Sequence, residues 1–203
     1  MIHLHLPRAR ALWLLPALGV AGCQLGVPSL PGTSASPPGG PAFTLAVDAL
    51  DGTLLKAERG LFRSVDQGQS WEAIPVPSVP QEKLRYVATS AAAPNTLYAA
   101  GPGTGLLRSQ DRGLTWGSIG AGLPGQAVAA FAVHSLRPDT LFAWIEGQGL
   151  FRTEDGGGRW QRMDGGPPAV SLGLAHSTLE GSMNTGWLYA ATPGGPYLTM
   201  DCF

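Results

Sequence analysis

Short apolar runs alternate with turn residues from position 42 to the last residue of the chain. The runs hold about five residues each and are separated by clusters of Gly, Pro, Asp and Asn, which mark turns. In one representative stretch they predict strands at 127–134, 140–145, 149–154 and 159–163. No segment keeps the apolar period of a helix. The pattern therefore predicts an all-β fold.

Two motifs recur in register along this region. Gly-Leu-x-Arg-Ser/Thr begins at Gly60, Gly105 and Gly149, with a degraded copy at Gly195, so the spacings are 45, 44 and 46 residues. Thr-Leu-aromatic-Ala at 96–99 recurs at 140–143 and more loosely at 187–190. Four strands per repeat of this length are typical of a propeller blade. We predict a partial β-propeller of about four blades over 42–203, with three complete four-stranded blades and an incomplete fourth.

Each Gly-Leu-x-Arg is followed by Ser/Thr-x-Asp-x-Gly-x-x-Trp. A carboxylate can accept hydrogen bonds from main-chain N–H groups at a tight turn, glycine permits positive φ, and tryptophan buries a large apolar area. A catalytic group is needed once, whereas a turn is needed in every blade, so we predict a structural role. The positions are Ser64, Asp66, Gly68, Trp71, Ser109, Asp111, Gly113, Trp116, Thr153, Asp155, Gly157 and Trp160.

This motif resembles the Asp-box, or BNR repeat, of sialidases, sortilin-type receptors and photosystem II assembly-factor-like propellers. The resemblance covers about 160 residues. It implies that the Asp-boxes lie at one face of the propeller. It also implies that a protein or glycan ligand binds the opposite face, which is formed by the links between blades and the turns between second and third strands.

A sialidase-like site would need an arginine triad, a tyrosine nucleophile with a glutamate partner, and an aspartic acid. Arg63, Arg108 and Arg152 share one repeated position beside the Asp-box, so we interpret them as rim residues paired with nearby charges. Tyr86 has no evident glutamate partner. We predict no catalytic residue and no cofactor. The alternative is a fragment of a sialidase-like or exo-glucanase-like glycoside hydrolase whose catalytic residues lie in other blades.

The other candidate side chains also receive structural interpretations. Tyr98 and Tyr189 fall at repeated strand positions and are predicted to be core residues. His134 and His176 lie in the similar tetrapeptides Ala-Val-His-Ser and Leu-Ala-His-Ser, and we take their positions as equivalent to those of Asp48 and Thr89 in earlier repeats. We expect adjacent blades to hold the two histidines apart, with turn hydrogen bonding as their role. No metal site is predicted.

Residues 1–22 are typical of a signal peptide, with four basic or histidine side chains before an apolar stretch of eleven residues. The stretch is too short to span a bilayer. It ends in Val-Ala-Gly before Cys23, which resembles the lipobox of bacterial lipoproteins and implies acylation of Cys23. The alternative is an ordinary cleavable signal with a chance cysteine. Residues 23–41, rich in Pro, Gly and Ser, are predicted to be a flexible tether.

Charge and cysteine content mainly exclude functions. The chain has no basic run, so no nucleic-acid partner is predicted. Cys23 and Cys202 fit neither a disulfide framework nor a zinc site. We expect an exported protein, anchored in the cell membrane or outer membrane and facing the periplasm or exterior. An open arc of blades would expose apolar faces at both ends, where chains could self-associate. We favour a truncated sequence as the explanation; the alternatives are a ring completed by a second copy or another chain, and four blades that close a small ring.

The acylation hypothesis predicts the outcome of metabolic labelling. Cells that express the chain with a fatty-acid analogue should label the protein, and Cys23→Ser should abolish the label because the acylated thiol is gone. Cys202→Ser is the matched control and should keep it. Label that survives Cys23→Ser would refute the lipoprotein interpretation.

Overall fold

The structure is a computed structural model that describes residues 43–164, 173–178 and 186–200. The predicted signal peptide, the tether and both cysteines lie outside these ranges. The fifteen strands that are described form four antiparallel sheets, and each sheet is built from consecutive strands. None of the helices in these ranges is long and apolar enough to cross a bilayer.

The strands divide among four blades. Blade 1 contains β1 (Thr44–Val47), β2 (Leu54–Ala57), β3 (Leu61–Ser64) and β4 (Glu72–Ile74). A short 3₁₀ helix, Gln81–Lys83, precedes blade 2, which contains β5 (Tyr86–Thr89), β6 (Leu97–Gly101), β7 (Gly105–Ser109) and β8 (Gly117–Ser118). Blade 3 contains β9 (Val128–Val133), β10 (Leu141–Ile145), β11 (Gly149–Thr153) and β12 (Gln161–Arg162). Blade 4 contains β13 (Gly173–Ser177), β14 (Trp187–Thr192) and β15 (Gly195–Met200).

The predicted partial propeller is confirmed, with three four-stranded blades and a three-stranded fourth. The first strands of all four blades line one cavity of about 340 Å³, which places them around a common axis. The observed strands lie within the predicted ones. The largest difference is in the fourth strand of blade 3, where Arg159 belongs to the preceding turn because its N–H donates to the Asp155 carboxylate.

Apolar side chains of facing sheets form the cores between blades. The middle strand β6 contributes to two of these cores. Leu97 and Ala99 pack against blade 1, whereas Tyr98 and Ala100 pack against blade 3. Both faces of β6 are therefore buried, which explains why its sequence is continuously apolar instead of alternating.

Both end blades leave one sheet face uncovered. Leu45 of blade 1 is 59% exposed, although Val87 and Phe131, at the same register position of blades 2 and 3, are each 6% exposed. In blade 4, Tyr189 and Leu198 pair across β14 and β15 and are 38% and 51% exposed. The apolar faces expected at the two ends of an open arc are thus present in the described residues.

The prediction that both repeated tyrosines are core residues is confirmed for Tyr98 and wrong for Tyr189. Tyr98 is 1% exposed because blade 3 covers the face of β6 on which it lies. Its hydroxyl also donates a hydrogen bond of 2.8 Å to the carbonyl of Pro138 in blade 3. Tyr189 lies on the outer face of blade 4, and no described strand packs there.

The inter-blade hydrogen bond predicts a measurable loss of stability in Tyr98→Phe. This change removes the donor and leaves the Pro138 carbonyl without it, so we expect the free energy of unfolding to fall by about 1–2 kcal/mol. Tyr189→Phe, on the exposed face, should leave it nearly unchanged. Urea denaturation would measure both. Equal losses in the two variants would contradict the assignment.

Candidate functional site

We use the term acidic turns for residues 64–71, 109–116 and 153–160, which follow the third strands of blades 1, 2 and 3. In blade 2, the Gly113 N–H donates to the Ser109 hydroxyl at 2.8 Å, and that hydroxyl donates to Asp111 at 2.7 Å. The Thr115 N–H donates to the same carboxylate at 2.8 Å, and its hydroxyl donates at 2.5 Å. The carboxylate and the hydroxyl therefore bind main-chain N–H groups that the strand ladder does not pair.

The other two acidic turns repeat this arrangement. In blade 1, the Ser70 N–H and hydroxyl donate to Asp66 at 2.9 and 2.5 Å. In blade 3, the Arg159 N–H donates to Asp155 at 2.9 Å, but the residue at this position has no hydroxyl to add a second bond. Each aspartate thus has its acceptor sites directed into its own turn.

These hydrogen bonds lower the pKa of all three carboxyl groups. Asp66 and Asp111 have pKa values of about 2, mainly because of the Ser64 hydroxyl and the Thr115 hydroxyl, respectively. The pKa of Asp155 is also lowered, with the Arg159 N–H as the first cause. The groups therefore favour the ionised form, which suits a hydrogen-bond acceptor and not a general acid.

The acidic turns also contact the preceding blade, which the sequence did not reveal. Gly113 has a φ of 93°, and a Cβ built on it would lie 2.6 Å from Ile74 Cγ2 in blade 1. One blade further on, the Trp160 indole N–H donates to the Ile119 carbonyl at 2.9 Å. In the acidic turn of blade 2, the Arg112 guanidinium also pairs with the carboxylates of Asp48 and Asp51 in blade 1, at 3.1 and 2.6 Å.

The three aspartates do not converge on a common cavity. The central cavity is lined by residues of β1, β5, β9 and β13, and none of the three acidic turns contributes to it. Each turn lies instead beyond the third strand of its own blade. The arrangement supports a repeated structural element and offers no shared site for a substrate.

The three repeated arginines are likewise engaged at separate places. Arg63 pairs with Glu72 at 2.9 Å within blade 1, and Arg108 pairs with Asp139 of blade 3 at 3.2 Å. Arg152 pairs with Glu154. Each guanidinium has its own carboxylate partner, as rim residues should, and no triad forms.

The two histidines do not occupy equivalent positions. His134 follows the end of β9, as Asp48 follows β1 and Ser90 follows β5, whereas His176 lies inside β13 opposite Leu188. The second-blade equivalent of His134 is therefore Ser90 and not Thr89. The similar tetrapeptides around the histidines concealed this shift in register.

The histidine rings lie together, so the prediction that blades hold them apart is wrong. Their centroids are 4.0 Å apart in a stacked arrangement. The Leu136 and Arg137 N–H groups donate to His134 Nδ1 at 3.1 and 3.2 Å, and the Ser135 N–H donates to His176 Nδ1 at 3.1 Å. Both Nδ1 atoms thus accept main-chain hydrogen bonds. Across the described ranges, no three His, Cys, Asp or Glu side chains are placed to hold a metal ion.

The face opposite the acidic turns is the remaining candidate surface. We call it the linker face; it comprises the β2–β3, β6–β7 and β10–β11 turns and the links between blades. The Gly103 N–H donates to the Gln126 carbonyl at 2.9 Å, and the Glu146 N–H donates to the Ala127 carbonyl at 3.0 Å. One link therefore joins two turns. A pocket of about 220 Å³ lies beside it, with Thr104 and Gln126 in its lining.

Tyr86, at the start of β5, lies near the charged residues of this face. Burial raises the pKa of its hydroxyl, while the positive charge of Arg85 opposes the rise and the negative charge of Glu146 adds to it. The sequence did not reveal the proximity of Glu146. An activated nucleophile needs a lowered pKa or an adjacent base. The pKa of the Tyr86 hydroxyl is therefore not lowered, so the first of these two kinds of activation is missing.

Comparisons with known proteins show the fold. No protein-family model and no curated protein matches the chain. Among solved structures, it is similar to the GH74 xyloglucanase from Xanthomonas campestris, with a TM-score of 0.53 and 22% identity over 78% of this chain and 29% of that one. A Niastella koreensis GH74 enzyme matches with a TM-score of 0.51 and 18% identity over 77% of this chain and 22% of that one.

A third similar structure is YCF48 bound to D1 peptide, with a TM-score of 0.49 and 15% identity over 76% of this chain and 47% of that one. The chain spans less than a third of the length of the two GH74 enzymes and less than half of YCF48. The GH74 likenesses show a β-propeller fold.

The acidic turns predict a specific dependence of stability on pH. Asp111→Asn removes the charge and should lower the free energy of unfolding at pH 7. Because the pKa of Asp111 is about 2 when folded and 3.8 ordinarily, its contribution is complete above about pH 4 and is lost as pH falls toward 2. The stability difference between wild type and variant should therefore shrink over that window.

Urea denaturation at neutral pH and at about pH 2.5 measures this difference. Asp164→Asn, at an exposed position after β12, is the matched control and should change little at either pH. A loss in Asp111→Asn that is the same at both pH values would show that side-chain shape, and not charge, holds the turn.

Proposed function

We propose that this chain is an exported, lipid-anchored Asp-box propeller that binds a protein or glycan ligand on its linker face. Acylated Cys23 would hold it at the membrane, and the tether at 23–41 would separate the propeller from the lipid surface. The propeller then acts as a binding or scaffolding module without chemistry of its own.

One observation carries this proposal: the residues that most resemble catalytic groups are already engaged in structural bonds. Asp66, Asp111 and Asp155 accept hydrogen bonds inside their own turns, and the repeated arginines pair with separate carboxylates. A substrate carboxylate or glycosidic oxygen would have to displace these partners. Because the repeated residues have structural roles, the loops that differ from blade to blade remain as candidate binding surfaces. Binding residues commonly lie on loops that a rigid scaffold holds in place.

The linker face has the features that such a module needs. Two of its turns, β6–β7 and β10–β11, are joined by main-chain hydrogen bonds to Gln126 and Ala127, which orders this part of the surface. Glu146 and Tyr86 provide a charged and an aromatic side chain on or beside it. Pre-ordered polar and aromatic groups favour recognition because little freedom is lost on binding.

The alternative is a fragment of a glycoside hydrolase of sialidase-like or exo-glucanase-like type. The GH74 enzymes share the propeller fold with this chain, which supports the alternative only at the level of fold. It would require catalytic carboxylates from other blades, spaced about 5–9.5 Å apart across the scissile bond. Hydrolysis of xyloglucan oligosaccharides by the purified chain would favour this alternative.

Site-specific crosslinking tests the binding proposal. A photo-crosslinking residue at Gln148, in the β10–β11 turn, should form a discrete adduct with a protein or glycan in cells that express the full chain. The matched position is Val65, which is 83% exposed in the acidic turn of blade 1 and should give none. An adduct at Val65 alone, or adducts at neither position, would contradict a ligand on the linker face.

A further inference from the structure

Main-chain contacts join three segments of the linker face into one strip, which runs from the link between blades 1 and 2 to the β10–β11 turn of blade 3. At the first end, a Cβ built on Gly101 would lie 1.9 Å from the Lys83 carbonyl oxygen. In the middle, the Gly103 N–H donates to the Gln126 carbonyl at 2.9 Å. At the far end, the Glu146 N–H donates to the carbonyl of the residue after Gln126 at 3.0 Å.

Opposite charges lie at the two ends of this strip. Lys83 and Arg85 are at the first end, and the exposed Glu146 is at the far end. None of these three side chains forms an ion pair within the described part of the chain, whereas Arg63 and Arg108 at the acidic turns pair with carboxylates. Between the two ends, the β6–β7 turn reads Gly-Pro-Gly-Thr-Gly, so its main chain can be approached closely.

Arg85 is held in a defined position without being neutralised. Its Nη1 donates to the carbonyls of Glu82 and Leu84 at 2.5 and 2.8 Å, and its main-chain N–H donates to the Ala100 carbonyl of β6 at 3.0 Å. No acceptor for its Nε or Nη2 is found among the described residues. These donors form the planar fork that binds a carboxylate, and a side chain already held in place loses little freedom on binding.

Tyr86 adds an aromatic group near both ends of the strip. Burial raises the pKa of its hydroxyl, the charge of Arg85 opposes the rise, and the charge of Glu146 adds to it. Both charges therefore act on the same hydroxyl, which makes no hydrogen bond inside the described ranges. A half-buried tyrosine with an available hydroxyl is typical of a protein interface.

We propose that this strip binds an extended segment of a partner protein that places an acidic side chain at Arg85 and a basic side chain at Glu146. Lys83 adds positive charge at the acidic end. A neutral glycan would cover the three charges without pairing them, which is costly, and an acidic glycan would bring a like charge to Glu146. The inference rests on the proposed function, since it selects a protein ligand of stated charge for the linker face.

A short peptide with aspartates in one half and lysines in the other is the probe, and the same peptide with asparagine and glutamine at those positions is its control. Fluorescence anisotropy with the full chain in detergent should show saturable binding of the charged peptide. The neutral peptide should bind at least about tenfold more weakly. Equal binding of the two peptides, or none, would overturn the proposal. Displacement of the charged peptide by xyloglucan oligosaccharides would assign the strip to a glycan and would overturn it as well.

Variants of the chain separate this strip from the net charge of the linker face. Arg85→Gln and Glu146→Gln should each weaken binding of the charged peptide at least about fivefold. Arg59→Gln and Glu58→Gln make the same changes in the β2–β3 turn and should leave binding unchanged. Glu146→Gln is the sharper test, because its carboxylate makes no bond among the described residues and its loss should not affect folding.

Equal weakening by all four variants would refute the strip as the site. The crosslinking residue at Gln148 distinguishes this failure from failure of the proposed function. An adduct that forms equally in all four variants would leave a ligand on the linker face and overturn only the charged strip. Loss of the adduct in Arg85→Gln and Glu146→Gln alone is the expected result.

Discussion

The main constraint in this propeller is the set of main-chain N–H groups left unpaired where each third strand reverses into the fourth. A buried or half-buried N–H without an acceptor is costly, and a carboxylate with an adjacent hydroxyl supplies acceptors at the required places. The Asp111 carboxylate and the Ser109 hydroxyl bind the N–H groups of Thr115 and Gly113. Since every complete blade makes the same reversal, every complete blade carries the same residues, without any need for chemistry.

The same turn also joins successive blades, and this determines how the core is built. Gly113 and Gly157 lie against Ile74 and Ile119 of the preceding blade, where a side chain would collide. The reversal therefore fixes both the local chain path and the distance between sheets. Stacking then buries both faces of the inner blades, with Tyr98 and Phe142 almost fully buried. Side chains on the strands of these blades are buried between neighbouring sheets, so we expect binding residues to lie on the loops.

The repeat period predicted the blades because each blade is one local supersecondary unit, and its apolar runs and turn residues are contiguous in sequence. Contacts between blades were not predictable in the same way. The Trp160–Ile119 bond and the proximity of Glu146 to Tyr86 join residues more than 40 positions apart. The prediction that the two histidines lie apart failed for another reason. A shift of one residue along a strand moves a side chain to the other face of the sheet. The similar tetrapeptides around His134 and His176 concealed such a shift.

The two outer faces of the arc are not chemically equivalent. On blade 1, Lys56 occupies the position of Ala99 and Ala143, which are fully buried between blades. Its ammonium lies 4.7 Å from the centroid of the Trp71 ring and 3.0 Å from the Glu58 carboxylate. A blade stacked there would have to remove this charge from water, which is unfavourable even for a paired ion. On blade 4 the outward pair, Tyr189 and Leu198, is uncharged. A further blade would therefore stack more easily on the blade 4 side.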